Sequence, residues 1–192
     1  MLLHAPALFY SPSSASAFAA TDLSAASGGW PAASQPSACT VAGGTLFVLV
    51  SGAPDGATAT VFAAAPGLPT AAAGLTWAAV AALSTPGGGA AGFALAPNGL
   101  SLFVAASAGG VFRTTRASGG VTAFGAFTAN AAAAALPASD VLVNANGLSL
   151  YVLTPYALAT VDLRNEWASA PLVNVTVAPA DGTQFLGIAL KP

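Results

Sequence analysis

The chain has 192 residues, which is enough for one domain with a substantial hydrophobic core. Its hydrophobic fraction is 55% and its net charge is −2, but only 5% of its residues are charged, about a fifth of the usual share. Four Lys and Arg residues are too few to bind a nucleic-acid backbone, and one cysteine allows neither an internal disulfide nor a cysteine-rich metal site.

A segment of seven residues occurs twice, as NGLSLFV at residues 98–104 and as NGLSLYV at residues 146–152. The copies are 48 positions apart, and a period of about 20 to 50 residues indicates a repeat architecture. Asn-Gly between apolar runs predicts a hairpin turn, so each copy predicts a turn followed by a strand. Four antiparallel strands in about 40 to 50 residues is the pattern of a β-propeller blade.

Residues 1–37 match only part of this unit. Residues 8–9 align with residues 150–151, and residues 21–23 align with residues 161–163. We therefore expect a partial blade that lacks its first strand. The N-terminus also resembles a secretory signal in its small residues, but it lacks a basic start and two prolines interrupt its apolar run.

Residues 38–84 are a diverged copy that predicts the first full blade. Residues 46–48 align with residues 102–104, a Gly-Gly pair stands near the position of the Asn-Gly turn, and later strands are expected at residues 59–62 and 75–82. The alanine-rich stretch at residues 71–83 fits either a strand or a helix, because periodicity alone does not separate the two. Since a membrane helix needs about 20 apolar residues, this short stretch predicts no membrane span.

Residues 90–136 are the best copy and predict the second blade. An apolar strand precedes Asn98-Gly99, a second strand follows it, and a Gly-Gly turn leads to a third strand at residues 110–115. Residues 121–128 (VTAFGAFT) predict the fourth strand. Residues 131–136 predict a short helix in the connection to the next unit.

Residues 139–180 predict the third blade in the same order. Its strands are expected at residues 140–144, 149–153, 157–163 and 172–178. The connection between the last two strands, residues 164–171, is the most polar stretch of the chain.

Residues 184–192 predict the first strand of a further blade, because GIALKP at residues 187–192 aligns with GFALAP at residues 92–97. Two hypotheses follow. Either the chain is a piece of a larger propeller, or this strand completes the N-terminal blade and closes a four-bladed ring. We favour the first, because residues 28–33 are a poor fourth strand.

The unit GFALAPNGLSLFVAA…GGVFRTT resembles the repeats of the NHL and YVTN family of β-propellers. In those repeats a small apolar strand ends in proline before Asp/Asn-Gly, and an apolar strand with an aromatic residue follows. VDL at residues 161–163 is similar to the Val-x-Asp end of the family's third strand, without the intervening residue. FLGIALKP at residues 185–192 resembles the blade-opening segment of alanine-rich propellers from secreted or surface-associated proteins.

The repeat units predict an all-β propeller of about three full four-stranded blades with partial-blade strands at both ends, and the resemblance implies the same fold. It also implies an extracellular or cell-surface location. It indicates no particular activity, because propellers host many unrelated functions.

Few side chains of the chain can carry catalysis. The only histidine is His4, near the N-terminus, so a Ser-His-acid triad is not expected. Lactonase-type propellers hold a divalent cation on carboxylates and amides from several inner strands, whereas here only Asp140 and Asn144 offer such ligands, both on one blade. We therefore predict no catalytic, cofactor-binding or metal-binding residue, and no cofactor.

The remaining polar and aromatic residues favour structural roles. Asp22 and Asp162 lie at equivalent strand ends, which favours a structural role such as a turn hydrogen bond or protection of the sheet edge. Trp30, Trp77 and Trp167 occupy different phases of the repeat, which favours packing over a shared ligand platform. Arg164 and Glu166 are expected to be solvated charges of a connection.

One modification site is predicted. Asn174 begins the tripeptide Asn-Val-Thr, the acceptor pattern for N-glycosylation, inside the predicted outer strand of the third blade. A glycan at this position requires secretion.

The repeat and the scarcity of catalytic groups predict a non-catalytic propeller module for interaction with a protein or a glycan, or for structural support, within a larger protein. The alternative is a piece of a propeller enzyme, a lactonase-like hydrolase or a quinone-dependent oxidoreductase, whose active residues lie outside this chain. The expected partner is an unidentified protein or glycan and not a nucleic acid.

Overall fold

The computed structural model describes residues 7–10, 19–22, 35–51, 58–65, 76–84, 89–116 and 123–177. These residues form β-propeller blades: three antiparallel sheets of four strands each, together with one two-stranded sheet. Within each four-stranded sheet the strands neighbour one another in chain order. The predicted all-β propeller class is confirmed. In the described part of the chain, no helix is long and apolar enough to cross a membrane.

The strand bounds follow the repeat. The two-stranded sheet contains β1 (Ala7–Tyr10) and β2 (Ala19–Asp22). The first blade contains β3 (Gln35–Ala42), β4 (Thr45–Ser51), β5 (Thr58–Ala65) and β6 (Thr76–Ser84). The second blade contains β7 (Ala90–Leu95), β8 (Ser101–Ala106), β9 (Val111–Thr115) and β10 (Thr128–Ala129). The third blade contains β11 (Asp140–Val143), β12 (Ser149–Leu153), β13 (Ala157–Asp162) and β14 (Leu172–Val177).

The repeated seven-residue segment forms the same hairpin turn in the second and third blades. In the second blade the Gly99 N–H donates to the Ala96 carbonyl (2.7 Å), and the Leu100 N–H donates to the Asn98 side-chain oxygen (2.9 Å). The equivalent two bonds of the third blade measure 2.9 Å each. Gly99 and Gly147 have φ of 69° and 73°, a conformation that costs other residues free energy. Turn chemistry therefore explains why the Asn-Gly pair recurs.

Alternate residues of β8 face different neighbouring blades. Leu102 and Val104 pack against apolar side chains of the first blade, whereas Phe103 and Ala105 pack against those of the third. Leu150, the counterpart of Leu102, faces the second blade in the same way. All five side chains are fully buried. Two core clusters therefore lie between neighbouring blades, and both faces of the middle sheet are covered.

The first strands of the three blades lie side by side, because β7 contacts both β3 and β11. The approach to β11 is closest at Gly92, where an added Cβ would lie 3.0 Å from the Asp140 Cα and would overlap the Asp140 carboxylate. A glycine in a strand often marks such a close approach of two backbones. Asp140 therefore lies where the first strands of the second and third blades meet.

Two predicted elements need revision. Within the ambiguous stretch 71–83, residues from Thr76 onward form strand β6, which excludes the helix there. The predicted fourth strand at residues 121–128 is wrong over most of its described length, because only its last residue belongs to β10. The Phe124 N–H donates instead to the Val80 carbonyl of the first blade (2.7 Å), so a neighbouring sheet competes for this backbone.

The helix predicted at residues 131–136 is a single turn of 3-10 helix at Ala131–Ala133. The strand predicted at residues 184–192 and the segment 28–33 lie outside the described residues. The choice between a larger propeller and a closed ring therefore stays a prediction.

Candidate binding cleft

A cleft of about 320 Å³ lies between the second and third blades. Its walls come from the end of β9, from the segment around β10 and from the connection between β13 and β14. The lining residues are Arg113, Thr114, Thr115, Ala126, Thr128, Glu166, Trp167 and Ala168. Ligand pockets commonly begin at about this volume, so the cleft can hold one small ligand.

Arg113 supplies the positive charge of the cleft. It lies on β9 opposite Phe103, its Nη2 donates to the Ser101 hydroxyl (3.0 Å), and its Cζ stands 5.8 Å from the centre of the Phe103 ring. Its Nε is buried, and no hydrogen-bond acceptor meets it among the described residues. Burial lowers the pKa of Arg113, but an arginine stays protonated at neutral pH. The cleft therefore holds a half-buried cation with spare donor capacity.

Trp167 is the buried aromatic residue of the cleft lining. Its ring meets Phe103 edge-to-face, with centroids 5.4 Å apart, and its indole N–H donates to the Thr128 carbonyl (2.7 Å). The Phe103 ring thus packs against both the guanidinium of Arg113 and the indole of Trp167. The packing role expected of Trp167 is what the structure shows, and the same packing gives the cleft its shape.

Asn130 holds the connection between β13 and β14 in place. Its side-chain amide donates to the carbonyls of Trp167 (2.8 Å) and Ala170 (3.0 Å), and its oxygen accepts from the Ala133 N–H (3.0 Å). The residue is fully buried and caps the 3-10 helix. Because a buried amide with all these bonds is costly to displace, Asn130 fixes the wall to the second blade.

The remaining lining groups are mostly polar. Thr115, Thr128 and Glu166 are exposed, so their side chains are accessible to a ligand. Within the part of the chain that the structure describes, Arg113 forms no ion pair, with Glu166 or with any other carboxylate. The arrangement offers one cation, one carboxylate and two hydroxyls around a small volume. Such a set can bind a ligand that carries both an acidic group and hydroxyls.

Sequence reasoning missed this site, because its members come from different blades. Arg113 and Glu166 are 53 positions apart and no motif links them. Asn130, which precedes an alanine run, is the one local signal, since asparagine is a common cap residue. That signal predicts a helix start and says nothing about a cleft.

Asp140 and Asn144, the two possible metal ligands of the sequence, have separate local roles. The Asn144 side-chain oxygen accepts from the N–H groups of Leu148 (2.9 Å) and Ser149 (3.0 Å), so it holds its own turn. The Asp140 carboxylate accepts from the Val141 N–H (2.9 Å), and burial raises the pKa of Asp140. Across the described ranges, no three His, Cys, Asp or Glu residues gather as a metal site would require.

The other residues singled out in the sequence have the following positions. Asp162 accepts from the backbone and side-chain N–H groups of Arg164, and this pairing lowers the pKa of Asp162 to about 2. The expected turn role of Asp162 is therefore observed.

Asn174 lies exposed on β14, and Trp77 is buried in the first blade. His4 and Trp30 lie outside the described residues, as does the side chain of Asp22.

No protein-family model matches the chain, and no curated protein matches it in sequence. Solved structures that are similar to it include a candidate 6-phosphogluconolactonase from Bacteroides fragilis, with 16% identity and a TM-score of 0.49 over 73% of this chain and 37% of that chain. A candidate 6-phosphogluconolactonase from Bacteroides uniformis has 14% identity and a TM-score of 0.47 over 77% of this chain and 43% of that chain. A functionally unknown protein from Desulfotomaculum acetoxidans has 13% identity and a TM-score of 0.45 over 77% of this chain and 47% of that chain. The chain spans less than half the length of these proteins. Its assignment to the NHL and YVTN family stays a prediction.

Proposed function

We propose that this chain is a non-catalytic β-propeller module that binds a carboxylate-bearing sugar between its second and third blades. The module belongs to a larger protein at the cell surface or outside the cell. The proposal rests on the environment of Arg113. Its half-buried guanidinium lines the cleft, and it forms no ion pair with a carboxylate among the described residues.

The charge of Arg113 favours an acidic ligand. A half-buried guanidinium has lost part of its hydration, and in the described structure its one side-chain hydrogen bond is to the Ser101 hydroxyl. An unpaired buried donor such as Arg113 Nε costs about 1–3 kcal/mol, so a turn of the guanidinium toward a carboxylate recovers free energy. Arginine suits this role, because its planar fork matches the two carboxylate oxygens.

The rest of the lining favours a sugar over a plain anion. The Glu166 carboxylate is an acceptor for ligand hydroxyls, and it disfavours a ligand with several negative charges. The hydroxyls of Thr115 and Thr128 can donate or accept. A single uronic-acid ring brings one carboxylate and several hydroxyls, and its size suits a cleft of about 320 Å³.

The first prediction is that an Arg113→Gln variant loses binding of acidic sugars. Calorimetric titration with uronate oligosaccharides should show at least a tenfold weaker affinity, which corresponds to about 1.4 kcal/mol. Wild-type binding should also weaken as salt is added. The control is Arg164→Gln, which removes an exposed arginine that does not line the cleft.

Two results would contradict this proposal. Equal affinity of wild type and Arg113→Gln for uronate sugars would remove the cleft from the binding site. Tighter binding of an acidic peptide than of any uronate sugar, with the same dependence on Arg113, would replace the sugar by a protein partner. Neutral oligosaccharides of the same length serve as the ligand control.

The second candidate function is that of a hydrolase, and the environment of the Asp140 carboxyl group favours it. Its half-buried carboxyl lies on the inner strand of the third blade, and burial raises its pKa, as is common for a general acid. Residues from further blades would have to complete the site. In the full-length protein, Asp140→Asn should then lower kcat for lactone hydrolysis without lowering Tm. Turnover that is unchanged by this substitution rejects the candidate.

A further inference from the structure

The outer strand of the third blade is an apolar edge. In the described part of the chain β14 pairs with β13 alone, and Val173 and Val175 are each 57% exposed. The register shifts between Leu158 and Ala159, which leaves Val175 without a partner across the pair. The sequence LVNVTV contains no charged residue and no proline. Such an edge can pair with a strand of another molecule, and natural proteins protect it.

We propose that Asn174 carries an N-linked glycan that covers this edge. Asn174 lies between the two exposed valines, and both Asn174 and Thr176 are exposed. The Asn-x-Ser/Thr acceptor pattern occurs once in the 192 residues, on this strand. A strand of six residues is about 20 Å long, so a branched oligosaccharide on its middle can screen it from end to end. The glycan does not depend on the Arg113 cleft, which no residue of β14 lines, but it rests on the proposed extracellular location.

The covalent step is a glycosyl transfer from a lipid-linked oligosaccharide diphosphate. The Asn174 Nδ2 forms a bond to C1 of the first sugar, and the bond between C1 and the diphosphate oxygen breaks. The lipid diphosphate leaves with the electron pair, and the amide nitrogen loses one proton to the transferase. No oxidant or reductant takes part.

The test fuses the full chain to a cleavable signal sequence and translates it in the presence of microsomes. Only chains that the microsomes protect from added protease are counted. Wild type should gain one glycan that peptide N-glycosidase removes, whereas Asn174→Gln and Thr176→Ala should gain none. The matched control is Leu148→Thr with Asn174→Gln, because it creates an Asn-Gly-Thr acceptor in an exposed turn. Protected wild-type chains without a glycan, beside a glycosylated control, would overturn the proposal.

The protective role has its own measurement. Light scattering of the purified secreted proteins should show that Asn174→Gln aggregates at a several-fold lower concentration than the glycosylated wild type. Adding Val175→Lys to Asn174→Gln should restore solubility, because lysine on an edge opposes strand pairing. Equal scattering of glycosylated wild type and Asn174→Gln would show that the glycan does not protect the edge.

Discussion

At the scale of single residues, two aspartates of the third blade have pKa values shifted in opposite directions. Burial raises the pKa of Asp140, so the folded state favours its protonated form. Hydrogen bonds from Arg164 lower the pKa of Asp162 to about 2, so the folded state favours its ionised form. The two residues begin β11 and end β13 of one sheet, and each serves as a control for the other.

The pH dependence of stability should separate these two carboxyl groups. The stabilisation from Asp162 is present above its ordinary pKa of 3.8 and is lost as the pH falls toward 2. Asp140 has the opposite effect on the free energy of unfolding. Its burial lowers that free energy as the pH rises above 3.8, and the loss reaches a constant value above the raised pKa of Asp140. Asp140→Asn should therefore be more stable than wild type near neutral pH, and Asp162→Asn should be less stable.

Urea unfolding followed by tryptophan fluorescence measures both effects. The advantage of Asp140→Asn over wild type should disappear at about pH 3, where the wild-type carboxyl is protonated in both states. Asparagine keeps the oxygen that accepts from the Val141 N–H, so the substitution tests charge alone. An advantage that is equal at neutral and acidic pH would show that desolvation of the charge is not its cause.

At the scale of elements, the contact between β7 and β11 depends on one missing side chain. An alanine Cβ at Gly92 would overlap the carboxylate of Asp140 and press on its backbone. Gly92→Ala should therefore destabilise the protein by about 1–3 kcal/mol, the usual cost of overpacking. Gly125→Ala is the control, because its Cβ would meet only the Thr115 carbonyl at 3.4 Å. Thermal unfolding by circular dichroism compares the two, and equal Tm values would contradict this account.

The elements that the sequence predicts best are those whose signal is local. The Asn98-Gly99 turn and strand β8 follow from turn chemistry and an apolar run, and both are observed. The predicted bounds of the fourth strand in the second blade were wrong, because the Phe124 backbone pairs with Val80, a partner far away in the sequence. The cleft around Arg113 escaped prediction for the same reason, since its walls meet only after two blades have packed together.

At the scale of the whole molecule, the three blades should unfold together, because the middle blade shares a hydrophobic core with each of its neighbours. Phe103 of the second blade packs among third-blade side chains, and Leu102 packs among first-blade side chains. Leu102 and Leu150 hold equivalent positions in the repeated segment, and both are fully buried between blades. A blade that lost its neighbour would expose one face of its sheet to water.

This register predicts a sharp contrast between adjacent residues of β12. Leu150→Asp loses about 1.5–3 kcal/mol of side-chain burial and also places a carboxylate in an apolar core, which costs several kcal/mol more. Since a domain of this size is stable by about 5–15 kcal/mol, cooperative unfolding should be abolished. Ser149→Asp should be mild, because Ser149 is only partly buried. Ser101 is a poorer control, since it is buried and its hydroxyl accepts from Arg113. Urea titration by circular dichroism distinguishes the variants, and equal tolerance at residues 149 and 150 would disprove the register.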